Sequence, residues 1–291
     1  MTFSTGTVRA NDLQFSYIEK GEGPLLLCMH GFPDIPSTFR YQLDAFADQG
    51  YRVVAPYMRG YSPTEIPRNG FYQTVILGLD TLALIRNLGY ENAVLLGHDW
   101  GSSAVTAAAV LDPGKVKKLI TVAVPYGSKL GEAFVLSPEQ QRRSWYMFFF
   151  QLPLADIAVP VNDFAFIERL WRDWSPAWKL PMDELKAVQD TLAKPGVLAA
   201  ALGYYRAIFN PANQDPELAG MQAKLSQPIE IPSLHIHGAM DGCIGAELTE
   251  EMESFFIAGL ELAIVPDAGH FVQQERPEEF NRIVLEFLGR S

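Results

Sequence analysis

The chain has 291 residues, 48% of them hydrophobic, and a formal net charge of -11. That length can bury a large core, as one big domain or two small ones. The acidic balance excludes a nucleic-acid binder, which needs a basic footprint, and speaks against docking on an anionic membrane surface. Residues 1–20 hold no apolar run of signal-peptide type, and no stretch is long enough to span a bilayer. The two cysteines, Cys28 and Cys243, make neither a disulfide framework nor a metal knuckle and fit a reduced, cytoplasmic protein.

Leu13 to Ile18 alternates apolar and polar residues, as a half-exposed strand does. Pro24 to Met29 is a continuous apolar run that reads as a central strand. It ends at His30-Gly31-Phe32-Pro33. Ser37 or Thr38 can cap a helix running to about Gln49 and closed by Gly50. Tyr51 to Pro56 is a further strand. The next helix puts Val75, Leu79, Leu82, Ile85 and Leu88 on one face and stops at Gly89. Asn92 to Leu96 is a short buried strand, and Ser102 to Leu111 is a helix of small apolar residues ended by Asp112-Pro113-Gly114. Val116 to Val124 is another strand. Strand and helix alternate throughout, which implies a parallel sheet covered on both faces.

The alternation breaks after Pro125. From about Ser128 to Leu225 the pattern is helical only. Ser137-Pro138-Glu139-Gln140 is a capping box with Pro at the first helical position. Asn162 opens a helix whose apolar side holds Ile167, Leu170, Trp171 and Trp174. Met182 to Leu192 forms the next, stopping at Lys194-Pro195-Gly196. A fourth carries Leu198, Ala201, Leu202, Tyr205, Ile208 and Phe209 at helical spacing. Strands resume at Ser233 to His237, leading into Gly238-Ala239-Met240-Asp241. A helix over roughly Glu247 to Phe256, a strand from Leu260 to Val265 and the loop Asp267-Ala268-Gly269-His270 follow. The last helix opens at Pro277 and stacks Phe280, Ile283, Val284, Phe287 and Leu288. The expected organisation is a core over 1–127 and 226–291 with a helical cap, 128–225, inserted between its two parts.

Gly97-His98-Asp99-Trp100-Gly101 lies between a buried strand and a buried helix. Strand, Gly-x-nucleophile-x-Gly, helix is the pattern of a nucleophile elbow, whose tight turn needs small residues beside the nucleophile. The nucleophile position carries Asp99, not Ser or Cys. Ligands of open α/β sheets bind outside the carboxyl ends of the strands. His30-Gly31-Phe32-Pro33, Asp99, Asp241 and His270 all fall there, and the last three stand in the order nucleophile, acid, histidine. Asp267, nearer to His270 in sequence, is a rival for the acid.

On these motifs, together with Trp145-Tyr146 and Tyr204-Tyr205-Arg206 in the insert, the sequence resembles an α/β-hydrolase of the epoxide hydrolase family over nearly its whole length. Arg59-Gly60-Tyr61 also resembles that family's loop after its fourth strand, where its role is mostly structural. The resemblance implies an α/β-hydrolase fold, a mostly parallel sheet with helices on both faces and an all-helical cap. It implies that an epoxide is opened to a vicinal diol through an alkyl ester on Asp99. Water activated by His270, itself oriented by Asp241, would hydrolyse that ester. The N–H groups of Phe32 and Trp100 would serve the oxyanion. Two cap tyrosines matching Tyr146 and Tyr205 would protonate the epoxide oxygen. Helical spacing independently puts Tyr205 rather than Tyr204 on the apolar face.

The implied partners are a small apolar epoxide and water, bound near Phe32, Trp100, Tyr146 and Tyr205, with the chain a monomer or homodimer. No cofactor is expected. His235 and His237 share a strand face, but no Cys, Asp or Glu cluster completes a metal site around them, and no phosphate-binding loop precedes a helix. A haloalkane or haloacid dehalogenase on the same skeleton is the first alternative. It needs indole or amide N–H donors for a halide. Four of the five tryptophans lie in the insert and keep that chemistry open, Trp145 above all. The second alternative is a non-catalytic hydrolase fold kept for ligand binding.

Overall fold

The structure is a computed structural model and describes residues 3–290. Ser4–Ala10 (β1) and Leu13–Lys20 (β2) form a hairpin. Leu25–Met29 (β3), Arg52–Pro56 (β4), Ala93–His98 (β5), Val116–Val122 (β6), Ser233–Gly238 (β7) and Leu260–Val265 (β8) complete an eight-stranded sheet in the order β1-β2-β4-β3-β5-β6-β7-β8. Strand β2 is antiparallel to β1 and β4; every other pairing is parallel.

Strands β3, β5 and β7 are buried along their whole length, because helices cover both faces. Arg40–Ala47 (α1), Thr74–Asn87 (α2) and Trp100–Leu111 (α3) belong to the first half of the chain. Between β6 and β7 lie Lys129–Leu136 (α4), Pro138–Arg143 (α5), Trp145–Phe149 (α6), Leu154–Ala158 (α7), Val161–Trp174 (α8), Met182–Leu192 (α9), Val197–Phe209 (α10) and Ala219–Gln222 (α11). Val272–Glu275 (α12) and Pro277–Gly289 (α13) end the chain.

Alternate strand residues feed two cores. Leu26, Cys28, Val53, Val94, Leu96, Ile120 and Ile236 pack with Leu43 and Phe46 of α1 and Phe280, Val284 and Phe287 of α13. Leu25, Leu27, Met29, Val54, Leu95 and Leu119 face the other way, toward Leu77, Leu84 and Val105. That core runs on without a break into Tyr146, Ile167, Trp171, Leu185 and Leu202 of the insert. Each such large side chain stabilises the fold by roughly 1.5–3 kcal/mol on burial. The small residues of α3 have a specific use: a Cβ on Gly78 of α2 would lie 2.7 Å from that of Ala107, so the two helices touch backbone to backbone.

Several expectations need correction. The sheet is mostly parallel, with antiparallel pairing confined to β1–β2 and β2–β4 at one edge; the edge strand β1 is not among the expected elements, and Asn11 and Asp12, both at positive φ (43° and 65°), make the tight hairpin turn that brings it there. Neither Ser37 nor Thr38 caps a helix. A 3₁₀ turn over Pro36–Phe39 precedes α1, Ser37 Oγ donates to Glu184, and Thr38 Oγ1 receives the side-chain amides of Gln273 and Gln274. The capping box is half made: Ser137 accepts from Gln140 N–H, but the Gln140 side chain reaches Ser144 and the Cys243 carbonyl instead. Helix α8 starts irregularly, with Asn162, Asp163 and Phe164 at positive φ. The expected helix over 247–256 is two 3₁₀ turns, Ala246–Thr249 and Met252–Phe255, parted by Glu251 at φ 62°. Ile208 and Phe209 sit at the exposed end of α10, not in the core.

Candidate active site

Strand β5 delivers Asp99 into a strained positive-φ conformation, φ 52° and ψ -119°, at the N-cap of α3. Holding a non-glycine residue there costs on the order of 1–3 kcal/mol, and the flanking glycines explain how it is held. A Cβ on Gly97 would collide with the Gly101 carbonyl, one on Gly101 with the Met29 carbonyl, and one on Gly31 with the Asp99 carboxylate. Ser102 Oγ, 2.7 Å from the Gly97 carbonyl, also accepts the Val122 N–H at 2.9 Å and ties the turn to β6.

The Asp99 side chain sees two partners. Phe32 N–H donates to Oδ1 at 2.7 Å. The other oxygen, Oδ2, lies 3.6 Å from His270 Nε2. On the far side of that ring, Nδ1 is 2.9 Å from Asp241 Oδ2, and Asp241 Oδ1 accepts the N–H groups of Cys243 and Ile244 at 2.7 and 2.9 Å. Asp99, His270 and Asp241, from the loops after β5, β8 and β7, therefore form one buried line. Asp267, the rival acid, points to solvent and pairs with Arg276 at 3.2 Å. Trp100 is the first residue of α3, where a helix leaves its N–H groups free of internal partners.

Burial works against a charge on His270, but Asp241 and then Asp99 outweigh it and lift the imidazole to about 10. Among the described residues His270 Nε2 has no closer polar partner than Asp99 Oδ2. The other histidines are neutral structural groups. Burial drives His30 down to about 4 and His98 down to about 3. His30 Nε2 accepts from Met58 N–H, and His98 Nε2 bonds the His270 carbonyl at 2.9 Å.

The insert closes the site from above. Tyr146 and Tyr205 are 2% and 1% exposed, their rings 5.6 Å apart edge to face. The Tyr205 ring also meets Phe32, Trp100 and Phe150 at 5.1–5.3 Å, and its buried hydroxyl has no hydrogen-bond partner of good geometry among the described residues. The Tyr146 hydroxyl lies 3.2 Å from Cys243 Sγ, a neighbour that sequence reasoning did not single out. Burial first, then Cys243 for Tyr146 and Asp99 for Tyr205, push both phenols well above their ordinary range. They are neutral donors at any physiological pH.

Tyr204 is buried as well, so the face argument alone did not separate the pair; its hydroxyl is spent on the Arg59 carbonyl at 2.8 Å. Arg59 in turn holds Asp80 through two buried bonds of 2.7 and 2.6 Å. Trp145 does not line the site: it packs on Phe149, Phe166 and Arg169. Trp174 does, 5.0 Å from the His270 ring and 4.8 Å from Tyr146.

His235 and His237 bond each other at 3.1 Å and are spent on Thr121 and the Ile244 carbonyl. Among the described residues, Asp241, Cys243 and His270 are the one trio with ligand atoms within 4.8 Å of one another. Two of the three already bond each other, and burial pushes the Cys243 thiol well above its ordinary range. An open cleft of about 710 Å³ is lined by Arg9, Asn11, Arg59 and Arg68 and holds none of the groups around Asp99.

The arrangement is a strained carboxylate with one oxygen on a backbone donor, an imidazole against the other, and two neutral phenols buried close by. A family profile for the alpha/beta hydrolase fold matches residues 24–277. Epoxide hydrolase 3 of Xenopus tropicalis is 34% identical, aligned over 97% of this chain and 77% of its own length. Epoxide hydrolase 4 of Homo sapiens is 30% identical over the same shares, 97% and 77%. A solved Bacillus megaterium epoxide hydrolase in complex with an inhibitor superposes with a TM-score of 0.86 at 28% identity, covering 98% of this chain and 100% of that one. The chain is a hydrolase that belongs to the epoxide hydrolase family of the α/β-hydrolase superfamily.

Proposed function

We propose that the protein opens a small apolar epoxide to a vicinal diol in two steps. In the first, Asp99 Oδ2 attacks an epoxide carbon; the C–O bond of the ring breaks and its electron pair stays on the oxygen. Tyr146 and Tyr205 donate hydrogen bonds to that developing alkoxide and supply its proton. Because burial makes these phenols weak acids, their main contribution is hydrogen-bond donation as the charge grows. Once the ester has formed, the proton that His270 carried restores the phenol and leaves the imidazole free to act on water. In the second step His270 Nε2 takes a proton from water, and the resulting hydroxide attacks the Asp99 ester carbonyl. The oxyanion forms on Oδ1, where Phe32 N–H already donates and the N–H of Trp100 is the second donor. Collapse breaks the bond from the Asp99 carbonyl carbon to Oδ2, the departing oxygen takes the proton of the newly added hydroxyl, and the diol is freed with the carboxylate and the imidazolium restored.

The observation that carries this reading is the divided environment of the Asp99 carboxylate: a backbone donor 2.7 Å from Oδ1 and an imidazole 3.6 Å from Oδ2. A water-attacking base on one side and an oxyanion donor on the other suit ester hydrolysis. Aromatic walls from Phe32, Trp100, Phe150 and Trp174 favour an apolar substrate. Two buried neutral phenols, edge to face 5.6 Å apart, favour an alkoxide leaving group over a halide.

The test is His270→Gln with styrene oxide. The variant is expected to hold the alkyl group as added mass on the peptide bearing Asp99. Absence of any adduct, or halide release from 1-bromobutane by the parent without diol from epoxides, would overturn the assignment.

A further inference from the structure

The loops carrying Asp241 and His270 leave different strands, yet one short piece of the insert touches both. The Trp174 carbonyl, at the end of α8, receives the N–H of Gly242 at 3.0 Å and the N–H of His270 at 3.1 Å. Both loops are shaped for that approach. A Cβ on Gly242 would run into the Asp173 carbonyl, and one on Gly269 would lie 2.6 Å from the Trp174 oxygen and 2.7 Å from Ser175 Oγ. Ser175, the C-cap of α8, shares the His270 N–H at 3.0 Å and donates its own proton to Glu275 Oε1 at 2.6 Å. The Glu275 carboxylate closes the ring of contacts, with Gly269 N–H on Oε2 at 2.9 Å and Phe271 N–H on Oε1 at 3.0 Å. The N–H of His270 and of both its neighbours is therefore fixed by Trp174, Ser175 and Glu275. None of these bonds is needed to close a strand or a helix.

We propose that Ser175 and Glu275 are positioning residues for the hydrolytic half of the reaction. They lock the end of α8 onto the His270 loop and keep Nε2 aimed at the ester on Asp99. The proposal rests on the two-step reading above. It separates the half-reactions: Tyr146 meets the clamp through the Trp174 ring alone, and among the described residues Asp99, Tyr146 and Tyr205 make no hydrogen bond to Ser175 or Glu275, so the two substitutions spare ester formation, whereas water activation depends on them.

Ser175→Ala and Glu275→Gln test this by rapid quench with styrene oxide and intact mass. Ester formation is expected at the parent rate. Ester hydrolysis is expected to slow by up to about 100-fold, the scale of loss for a catalytic group displaced by about an ångström, so that the adduct accumulates. Two outcomes overturn the proposal: hydrolysis unchanged in both variants, or both half-reactions falling together in step with a loss of folded protein on a thermal melt. If the parent itself forms no adduct, the reading of Asp99 fails instead. The clamp is then judged by the NMR signal of the proton between His270 Nδ1 and Asp241. A shift or loss of that signal in both variants upholds the clamp, and an unchanged signal overturns it.

Discussion

Replacing Asp99 by Asn removes a negative charge 3.6 Å from His270 Nε2 while leaving the side chain's shape nearly intact. At an effective dielectric of about 20, two unit charges that far apart interact by roughly 4.6 kcal/mol, which corresponds to about 3.4 pH units. Burial lowers the imidazole, Asp241 and Asp99 together raise it to about 10, and without Asp99 it should titrate at about 7. Esterification neutralises the same carboxylate. His270 is thus held as an imidazolium while Asp99 is free and becomes able to take a proton at neutral pH once the ester has formed. Hydrolysis of the trapped ester should accordingly rise with pH through about 7 and then level off.

The assay is ¹⁵N-histidine NMR of the parent and of Asp99→Asn across pH. It is unusually clean here. Of the five histidines, burial lowers His30, His98, His235 and His237, leaving one imidazole to titrate in the upper range. A midpoint that moves by less than about one unit, or moves upward, refutes the reasoning.

Other changes probe the remaining parts. Tyr146→Phe and Tyr205→Phe should each slow single-turnover ester formation, on the order of 10²-fold, with ester hydrolysis untouched; two variants that form the ester at the parent rate would remove the tyrosines from the mechanism. Cys243→Ser gives the Tyr146 hydroxyl, now 3.2 Å from sulfur, a stronger resting partner and should slow ester formation by up to about tenfold, read by rapid quench. Arg59→Met strands the buried Asp80 carboxylate with Asn11 as its remaining side-chain partner; urea unfolding should show roughly 3–5 kcal/mol lost. Gly101→Ala drives a methyl group into the Met29 carbonyl and should lower stability by more than about 4 kcal/mol or leave no soluble protein; a melting curve like the parent's would contradict the packing described for the elbow.

The strands that matter most were legible because they are buried on both faces. Leu25–Met29 and Ala93–His98 read as apolar runs, and apolar runs between covering helices have little freedom to be anything else. The elbow was legible because its glycines are steric requirements and not preferences. What escaped was set by partners far away in sequence. Strand β1 carries almost no apolar signal and exists because β2 offers it a ladder. Residues 247–256 have helical composition, but Glu251 breaks them into two turns. Tyr204 and Tyr205 cannot be separated by periodicity when both are buried; a single hydrogen bond to the Arg59 carbonyl does so. Ser175 and Glu275 lie in no motif, since a residue acting through the backbone of another loop leaves no pattern of its own.

The Phe32 N–H on Asp99 Oδ1 has a consequence for isotopes. On the proposed route Oδ2 departs with the diol and an oxygen from water takes its place, whereas Oδ1, pinned through both steps, is never handed on. After many turnovers in heavy-oxygen water the Asp99 peptide should carry one labelled oxygen and not two. Each diol released would then contain the solvent oxygen captured one cycle earlier, so the molecule keeps a record of its previous turnover in half of a carboxylate.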